Sequence, residues 1–404
     1  MGCEQSEIVP SVTLADVYRD TRVVNDRPSF RPFGVMGDDP IVWTARSGSL
    51  LTMTGGVILI APEVTMDPAG EALIRSAGLP FADRDRVWTY RDADEYRNLL
   101  QQAPDGELVL YHLHPPEELP AGKYWIAPAI AGSLINKADL AQWIPSTLCP
   151  DRVVASRADA GQTAQPFLQA DGRCVLKTTG AVPTGGGMGV EQVSHPDAFN
   201  ESLARLTGDG PVVIERWYAS PYSFCMNFAL CETMPHQVIY LGAAEQIIHD
   251  QVKFKGNIFD PARQPSPEII QAVTGTAMGI LARGYTGLLG IDVLILEDQS
   301  GRIVDINPRL NASTVALAYV PALRKKLGAQ VLLETVTLFL PRNRPGLLRA
   351  MEHEIRAQRL FPYRWTSCSE RDPHLGKVLA IAAGESREAL SAYAGHRHRL
   401  GFVS

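Results

Sequence analysis

The stretch that decides the fold is Gly287-Leu-Leu-Gly-Ile-Asp-Val-Leu-Ile-Leu-Glu-Asp-Gln-Ser-Gly-Arg-Ile-Val-Asp-Ile-Asn-Pro-Arg-Leu-Asn-Ala-Ser313. Two strands are predicted, at residues 291–296 and 302–306, and a tight turn at residues 297–301 joins them. Asp298 and Gly301 bracket polar residues between β-branched runs, and this pattern predicts a β-hairpin.

Polar side chains of this hairpin are expected to converge on one face. Asp305 and Asn307 are two residues apart on the second strand, so their side chains point to the same side. Asp292 lies on the neighbouring strand and can face them across the ladder. Two carboxylates and an amide oxygen suit a magnesium ion with bound phosphates, and Arg309 can reach an anion there. The alternative is an edge hairpin with solvated acids.

Composition indicates an ordinary globular protein. The chain has 404 residues, 45% hydrophobic and 20% charged, with a net charge of -6, which predicts two to three domains. No basic block stands out, so nucleic acid is not expected as a partner. No apolar run approaches the roughly 20 residues that span a bilayer. The six scattered cysteines contain no CxxC pair, which favours free thiols in a reducing cytoplasm.

The first part of the chain alternates strands and helices. A weakly patterned segment of about 50 residues, with one short helix near residues 14–18, precedes this alternation. Strands are predicted at residues 57–61 and 108–112, and helices at residues 67–77 and 92–102. The alternation predicts an open α/β layer, and the lack of a GxGxxG motif gives no support to a dinucleotide site.

Two lysines and a glycine-rich loop follow. Lys137 lies near the start of a helix predicted at residues 135–144, where a cation is poorly placed for the helix dipole, so an anionic partner or plain solvation is expected. Lys177 ends a strand that runs into the loop. Glycines allow backbone N–H groups to approach phosphate oxygens, although a flexible linker is the alternative. The loop residues of interest are Gly185, Gly186, Gly187, Met188 and Gly189.

Two further segments carry candidate binding residues. A strand at residues 211–218 contains Glu215, Arg216, Trp217 and Tyr218, and a strand end between apolar walls is a common place for adenine. In the polar segment near residue 255, Lys253, Lys255 and Asn257 are candidates for binding a phosphate or a substrate carboxylate. A solvated charged loop is the alternative for that segment.

The remainder is expected to be mainly helical. We predict helices at residues 267–284, 331–340, 347–358 and 386–394, and a strand at residues 376–382. The last three elements would form a small C-terminal α/β unit.

Taken in order, Lys137, Lys177 with its glycine loop, Glu215, Asp292 and the Asp305–Arg309 segment resemble the ATP-grasp superfamily. The most similar members are carboxylate–amine ligases such as amino-acid (dipeptide) ligases and glycinamide ribonucleotide synthetase. The resemblance covers about residues 130–345. It implies an α/β fold with a preceding α/β domain (1–135), a lid subdomain (136–215), a large subdomain with the metal site (216–342) and a C-terminal extension (343–404).

The resemblance also implies roles. Lys137 and Lys177 would bind ATP phosphates, Gly185 to Gly189 would cover them as a mobile lid, and Glu215 to Tyr218 would form the adenine hinge. Asp292, Asp305 and Asn307 would hold two magnesium ions. Arg309 would stabilise the transferring phosphoryl group and the tetrahedral intermediate.

The implied function is a cytoplasmic, ATP-dependent ligase that forms an amide from a small carboxylic acid and an amine through an acyl phosphate. Its partners would be these small molecules, with a homodimer left open. A kinase on the same fold and a non-catalytic nucleotide-binding module are the alternatives. Two departures stand out, because the family usually has Glu where Asp305 stands and often an acid where Tyr222 and Ser223 stand.

Overall fold

The computed structural model describes residues 8–30, 46–180, 189–233, 237–249, 253–343, 346–368 and 374–402. Three sheets organise these residues. No helix among them is long and apolar enough to cross a membrane.

The N-terminal sheet is parallel, with strand order β3-β2-β1-β4. Its strands are β1 (Val23–Asn25), β2 (Ile58–Pro62), β3 (Val87–Tyr90) and β4 (Leu108–Leu110). Its helices are α1 (Leu14–Val17), α2 (Pro68–Ser76) and α3 (Ala93–Gln102). The Asp67 and Asp92 side chains cap α2 and α3 by accepting hydrogen bonds from first-turn N–H groups. The predicted α/β layer is therefore confirmed.

The second sheet is small and antiparallel, with strand order β5-β8-β6-β7 and its own apolar core. Its strands are β5 (Arg152–Ala155), β6 (Cys174–Thr178), β7 (Val190–Val193) and β8 (Val212–Arg216). Helices α4 (Pro128–Ile135) and α5 (Leu140–Trp143) precede it, and α6 (Ala160–Asp171) and α7 (Phe199–Arg205) belong to it.

The third sheet is antiparallel and eight-stranded, with order β13-β12-β9-β10-β11-β14-β16-β15. The strands are β9 (Tyr222–Leu230), β10 (Val238–His249), β11 (Lys253–Phe259), β12 (Gly287–Ile295), β13 (Gly301–Asn307), β14 (Leu332–Pro341), β15 (Leu360–Ser367) and β16 (His374–Gly384). The helices are α8 (Pro267–Ala282), α9 (Thr314–Leu327), α10 (Leu347–Arg356) and α11 (Arg387–Leu400). Short 3₁₀ helices occur at Arg46–Thr52, Glu63–Thr65, Arg84–Arg86, Ala121–Lys123, Lys137–Asp139, Ser146–Leu148 and Pro196–Ala198.

One predicted helix is wrong, and another is helical over residues 137–143 only. Residues 331–340 form strand β14 instead of a helix, because β-branched residues alternate there with buried leucines and the strand pairs with β11 and β16. The helix predicted at residues 135–144 is interrupted at Asn136, which has an extended backbone and whose side chain accepts a hydrogen bond from the Ala138 N–H.

The C-terminal strands extend the large sheet. Strand β16 pairs with β14 along most of its length, and β15 pairs with β16 at the sheet edge. Residues on either side of position 342 therefore contribute to one continuous sheet.

A buried histidine sits at the end of the N-terminal sheet. His112 is 1% exposed, and its Nε2 lies 3.5 Å from Asp26 Oδ1. Burial lowers the pKa of His112 to about 4. Burial alone would raise the pKa of the Asp26 carboxyl group. Arg46 and His112 together have the larger effect and lower that pKa.

We therefore predict that stability falls as the pH drops from 7 to 5. The unfolded His112 takes up a proton near its ordinary pKa of 6.5, whereas the folded protein keeps it neutral down to a pKa of about 4. This difference lowers the free energy of unfolding by about 2 kcal/mol at pH 5. Urea unfolding at both pH values should show a smaller pH dependence for His112→Asn than for the unsubstituted protein. An equal loss in the two proteins would contradict the prediction.

Candidate active site

A large cleft, with a volume of about 920 Å³, lies where the three sheets meet. Its lining includes residues of the N-terminal part, the small sheet, the large sheet and the C-terminal strands. The predicted site residues that line it are Lys137, Lys177, Glu215, Arg216, Trp217, Tyr218, Asn257, Asp292, Asp305, Asn307 and Arg309.

The acidic hairpin forms as expected. Strands β12 and β13 are antiparallel, and Asp292 and Asp305 are direct partners across the ladder. The register shifts by one residue beside this pair, so Val304 is an extra residue on β13. This bulge places both Val304 and Asp305 in the cleft lining, which strict alternation would not allow.

The two carboxylates repel one another. Burial first, and the charge of Asp305 second, raise the pKa of Asp292 to about 6. Polar side chains surround the pair. Asn307 Nδ2 donates to Asp292 Oδ2 at 3.1 Å, Gln246 Nε2 donates to Asp292 Oδ1 at 3.3 Å, and Lys137 Nζ lies 3.2 Å from Asp305 Oδ2.

This donor set fits a hard divalent cation. Carboxylate and amide oxygens are the ligands that Mg²⁺ prefers, and a cation would relieve the repulsion that raises the pKa of Asp292. Among the described residues, no group of three or more His, Cys, Asp or Glu side chains is arranged to hold a metal. The Asn307 oxygen, water and substrate phosphates would therefore have to complete the coordination.

A buried ion cluster joins the small sheet to the hairpin. Lys177 Nζ lies 2.5 Å from Glu215 Oε2, and Arg152 Nη1 lies 3.3 Å from Glu215 Oε1. The side chains of Lys177, Glu215 and Arg152 are 6%, 3% and 7% exposed, so the charges compensate one another inside the protein. Lys177 Nζ also donates to the carbonyl oxygen of Val304, at 2.8 Å, across the cleft.

Arg216, Trp217 and Tyr218, which follow Glu215, are part of the cleft lining. Arg216 pairs with Asp171 at 2.9 Å, and the Trp217 ring stacks under the Arg173 guanidinium at 4.1 Å. Tyr218 accepts a hydrogen bond from the Asp151 N–H at 3.0 Å through its hydroxyl. Residues 216–218 line the cleft, and their side chains are held by these neighbours.

Apolar residues that sequence reasoning missed form two walls of the same cleft. Val175 and Val190 come from the small sheet, and Leu294 and Val304 come from the hairpin. Val175 is two residues before Lys177 on one strand, so the period of two could have identified it. The Val304 bulge has no comparable sequence signal.

Arg309 lies at the end of the hairpin. Its Nη2 donates to Asn307 Oδ1 at 2.8 Å, and its Nη1 donates to the Leu310 carbonyl oxygen at 3.4 Å. Burial lowers the pKa of Arg309 below its ordinary value. The hydrogen bonds to Asn307 and Leu310 therefore hold the Arg309 side chain beside the acidic pair.

Sequence reasoning missed the contribution of the N-terminal residues, which it treated as irregular. Arg46 Nε pairs with Asp26 Oδ2 at 3.1 Å, and Arg46 Nη2 donates to the Leu310 carbonyl oxygen at 3.3 Å. Asp26, Arg46 and Ser49 line the cleft. Tyr363, Arg364 and Leu379 from β15 and β16 were missed as well, because only three-dimensional pairing brings them to the cleft.

The three candidate substrate-binding residues, Lys253, Lys255 and Asn257, differ in their position relative to the cleft. Asn257 lines the cleft and is 1% exposed, and its Nδ2 has no hydrogen-bond partner among the described residues. Lys255 is exposed and is not part of the cleft lining, because a register shift in the β10–β11 pairing makes it the extra residue between Phe254 and Gly256. For Lys253 only the backbone, in β11, is described.

Most of the glycine loop lies outside the described residues, including Gly185, Gly186, Gly187 and Met188. The carbonyl oxygen of Gly189 accepts a hydrogen bond from the Thr178 N–H at 2.9 Å and closes the base of the loop.

Tyr222 and Ser223 stand where ATP-grasp proteins often have an acidic residue. Ser223 lines the cleft and donates to Gln246 Oε1 at 2.6 Å, and Tyr222 lies under the Arg263 guanidinium at 4.7 Å.

Comparison with known proteins gave two family matches. Residues 150–307 match the model described as L-aspartate–L-methionine ligase, ATP grasp. Residues 13–132 match the model of the L-aspartate–L-methionine ligase N-terminal domain.

Solved structures share this fold. N5-carboxyaminoimidazole synthase from Aspergillus clavatus, in complex with ADP and 5-aminoimidazole ribonucleotide, is 14% identical with a TM-score of 0.56, covering 92% of this chain and 96% of that chain. The Thermotoga maritima N5-carboxyaminoimidazole ribonucleotide synthetase is 13% identical with a TM-score of 0.57, covering 95% and 99%. An L-amino acid ligase from Bacillus licheniformis is 11% identical with a TM-score of 0.52, covering 93% and 96%.

The buried ion cluster gives a prediction. Glu215→Ala leaves Lys177 and Arg152 buried without their carboxylate, and we expect the free energy of unfolding to fall by about 3–5 kcal/mol. Chemical denaturation would measure the loss. Glu191→Gln on the same sheet is the matched control, because it removes a carboxylate from a more exposed pair with Arg205 and should cost much less. Equal losses in the two variants would show that Glu215 does not compensate buried charge.

Proposed function

This chain belongs to the ATP-grasp carboxylate–amine ligases, and we propose that it joins L-aspartate to L-methionine. The predictions of an ATP-grasp fold with a preceding α/β domain, of an ATP-dependent enzyme and of an amide-forming ligase are confirmed. The proposed substrate pair is supported by one observation. Two separate regions, 13–132 and 150–307, match the two domain models of an L-aspartate–L-methionine ligase.

We assign ATP to the part of the cleft between the small sheet and the hairpin. The apolar walls Val175 and Leu294 are suited to the faces of a flat base, and the backbone after Glu215 offers hydrogen bonds to its edge. Lys137 and Lys177 both contact the acidic hairpin, so they are proposed to bind the phosphates.

Asp292, Asp305 and Asn307 are proposed to hold magnesium beside those phosphates. When bound, the metal would offset charge on the phosphate oxygens. Asp305 is shorter than the usual family glutamate, and its side chain keeps a 3.2 Å contact with Lys137. Lys137 is therefore proposed to orient this carboxylate as well as to contact the nucleotide.

The chemistry requires positioning and charge neutralisation rather than a protein nucleophile. The carboxylate of the acid attacks the γ-phosphorus of ATP, ADP leaves, and an acyl phosphate remains. The amine attacks the acyl carbon, and phosphate leaves as the amide forms. Arg309 is placed to stabilise the phosphoryl group in the first step and the oxyanion in the second.

The cellular setting stays a prediction. Cys149, Cys174, Cys225 and Cys231 form no disulfide, which supports a reducing cytoplasm. The homodimer, the lid function of Gly185 to Gly189 and the binding roles of Lys253 and Lys255 also stay predictions.

The substrate proposal is tested by measuring ADP release for a matrix of amino-acid pairs. We expect release with aspartate and methionine together and little with either alone, and the product mass should equal the two amino acids less one water. ADP release without any amine, together with a stable phosphorylated product, would favour a kinase. Turnover that prefers another pair would contradict the proposed substrates while leaving the ligase assignment intact.

The catalytic roles give a second prediction. Arg309→Ala and Asp305→Ala should each lower kcat at least about 10³-fold, because charge on the transferring phosphoryl group would lose its stabilisation. Steady-state ADP release at saturating substrates measures this. Asp305→Glu, which restores the residue usual in the family, should retain most of the activity.

Asp298→Asn is the matched control, because this acid lies in the exposed turn of the same hairpin. It should behave like the unsubstituted enzyme. Near-normal kcat in Arg309→Ala or Asp305→Ala would overturn the assigned roles.

A further inference from the structure

Arg364 is a buried cation of the cleft that lies outside both matched regions. It belongs to β15, it is 7% exposed, and it lines the cleft beside its ladder partner Leu379. Its Nη1 donates to Ser49 Oγ at 3.0 Å. Its Nε has no hydrogen-bond partner among the described residues.

Three other cations of the cleft already have acidic partners. Lys137 pairs with Asp305, Lys177 with Glu215, and Arg46 with Asp26. Within the described parts of the chain, no carboxylate lies within ion-pair distance of Arg364. Its only described polar partner is a neutral hydroxyl.

A buried guanidinium without a counter-charge is costly unless a ligand supplies one. Burial lowers the pKa of Arg364 to about 10, so the group still carries its charge at neutral pH. Guanidinium groups recognise carboxylates with paired hydrogen bonds, and the Nε that has no partner here is one of the donors used for such pairing.

The surroundings favour an amino-acid substrate over the nucleotide. The phosphates are assigned to Lys137, Lys177 and the acidic hairpin. Strand β13 of this hairpin is one edge of the large sheet, and β15, which carries Arg364, is the other edge. Arg364 instead adjoins Ser49 and is influenced electrostatically by Arg46 and Asp26, which come from the N-terminal part. Asp26, Arg46 and Ser49 belong neither to the small sheet nor to the acidic hairpin, to which the nucleotide is assigned.

We propose that Arg364 binds a substrate carboxylate that does not react, in a subsite formed by β15 and the 3₁₀ helix that carries Ser49. The inference rests on the proposed ligase function. The carboxylate is either the second carboxyl group of the acid substrate or the α-carboxylate of the amine substrate. Both have the same chemistry, and the experiment separates them.

The test compares Arg364→Gln with the unsubstituted enzyme by ADP release, varying ATP, aspartate and methionine in turn. We expect KM for one of the two amino acids to rise about 10- to 100-fold, while KM for ATP stays within about twofold. A rise for aspartate identifies the acid substrate as the ligand, and a rise for methionine identifies the amine substrate. Unchanged KM values for both amino acids in the folded variant would overturn the proposal.

Neutral analogues provide a readout that a purely structural role would not change. The unsubstituted enzyme should prefer aspartate over asparagine, or methionine over methioninamide, and Arg364→Gln should lose that same preference. Arg364→Lys should retain part of it because it keeps the charge. If the unsubstituted enzyme shows neither preference, the proposal is wrong whatever the variants do.

Two further variants control for folding. Arg356→Gln removes an exposed arginine, at 67% side-chain exposure, from the preceding helix and should leave every KM unchanged. If Arg364→Gln does not fold, Ser49→Ala replaces it, because it removes the described hydrogen-bond partner of Arg364 and should raise the same KM by a smaller factor.

The proposal and the function on which it rests can fail separately. If aspartate and methionine are not the substrates, the same variants are measured with the pair that the matrix identifies, and the same KM shift is expected. If no amino-acid pair supports ADP release, both the function and this subsite are overturned.

Discussion

The ammonium group of Lys177 connects the parts of the molecule that must face each other. It extends from the small sheet, pairs with Glu215 on the adjacent strand at 2.5 Å, and donates to the Val304 carbonyl oxygen on the hairpin at 2.8 Å. Because these groups are buried, the contact is protected from water and sets the separation between the two sheets. The bulge at Val304 makes that carbonyl oxygen available, since an extra residue in a strand is left out of the ladder. The width of the cleft therefore depends on one lysine and one irregularity in β13.

Charge pairing dominates the rest of the cleft. Several of its acids and bases are held in fixed pairs by short contacts, such as Arg46 with Asp26 and Lys137 with Asp305. In a site of low dielectric, such pairs keep side chains oriented before any ligand is bound. A phosphate that enters meets donors that need little rearrangement. The raised pKa of Asp292 reflects its burial and, second, the like charge of Asp305 across the ladder.

The sequence was most informative where the local pattern and the chemistry coincide. The hairpin and the convergence of Asp292, Asp305 and Asn307 followed from a period of two, and the helices predicted at residues 67–77 and 92–102 correspond to α2 and α3. The order of lysine, glycine loop and hinge was enough to suggest the family.

Features that depend on pairing between distant segments could not be predicted. Strand β14 was predicted as a helix because the local alternation of its residues is incomplete, and its pairing with β11 and β16 decides its structure. Asp26 and Arg46 lie in a segment without periodicity, and Arg364 reaches the cleft only through the sheet. The bulge that turns Lys255 outward adds one residue to a strand, and no local signal marks it.

The position of β15 and β16 in the chain has a consequence during synthesis. The ribosome delivers the N-terminal sheet, the small sheet and the acidic hairpin before the strands that carry Tyr363, Arg364 and Leu379. Strand β14 pairs with β16, so the last wall of the cleft is added to a sheet edge that has already emerged. A nascent chain can therefore assemble the groups assigned to ATP before it completes the wall that contains Arg364. Ribosomes that stop before that wall would release a chain with an exposed sheet edge at β14, which is a template for association with other chains.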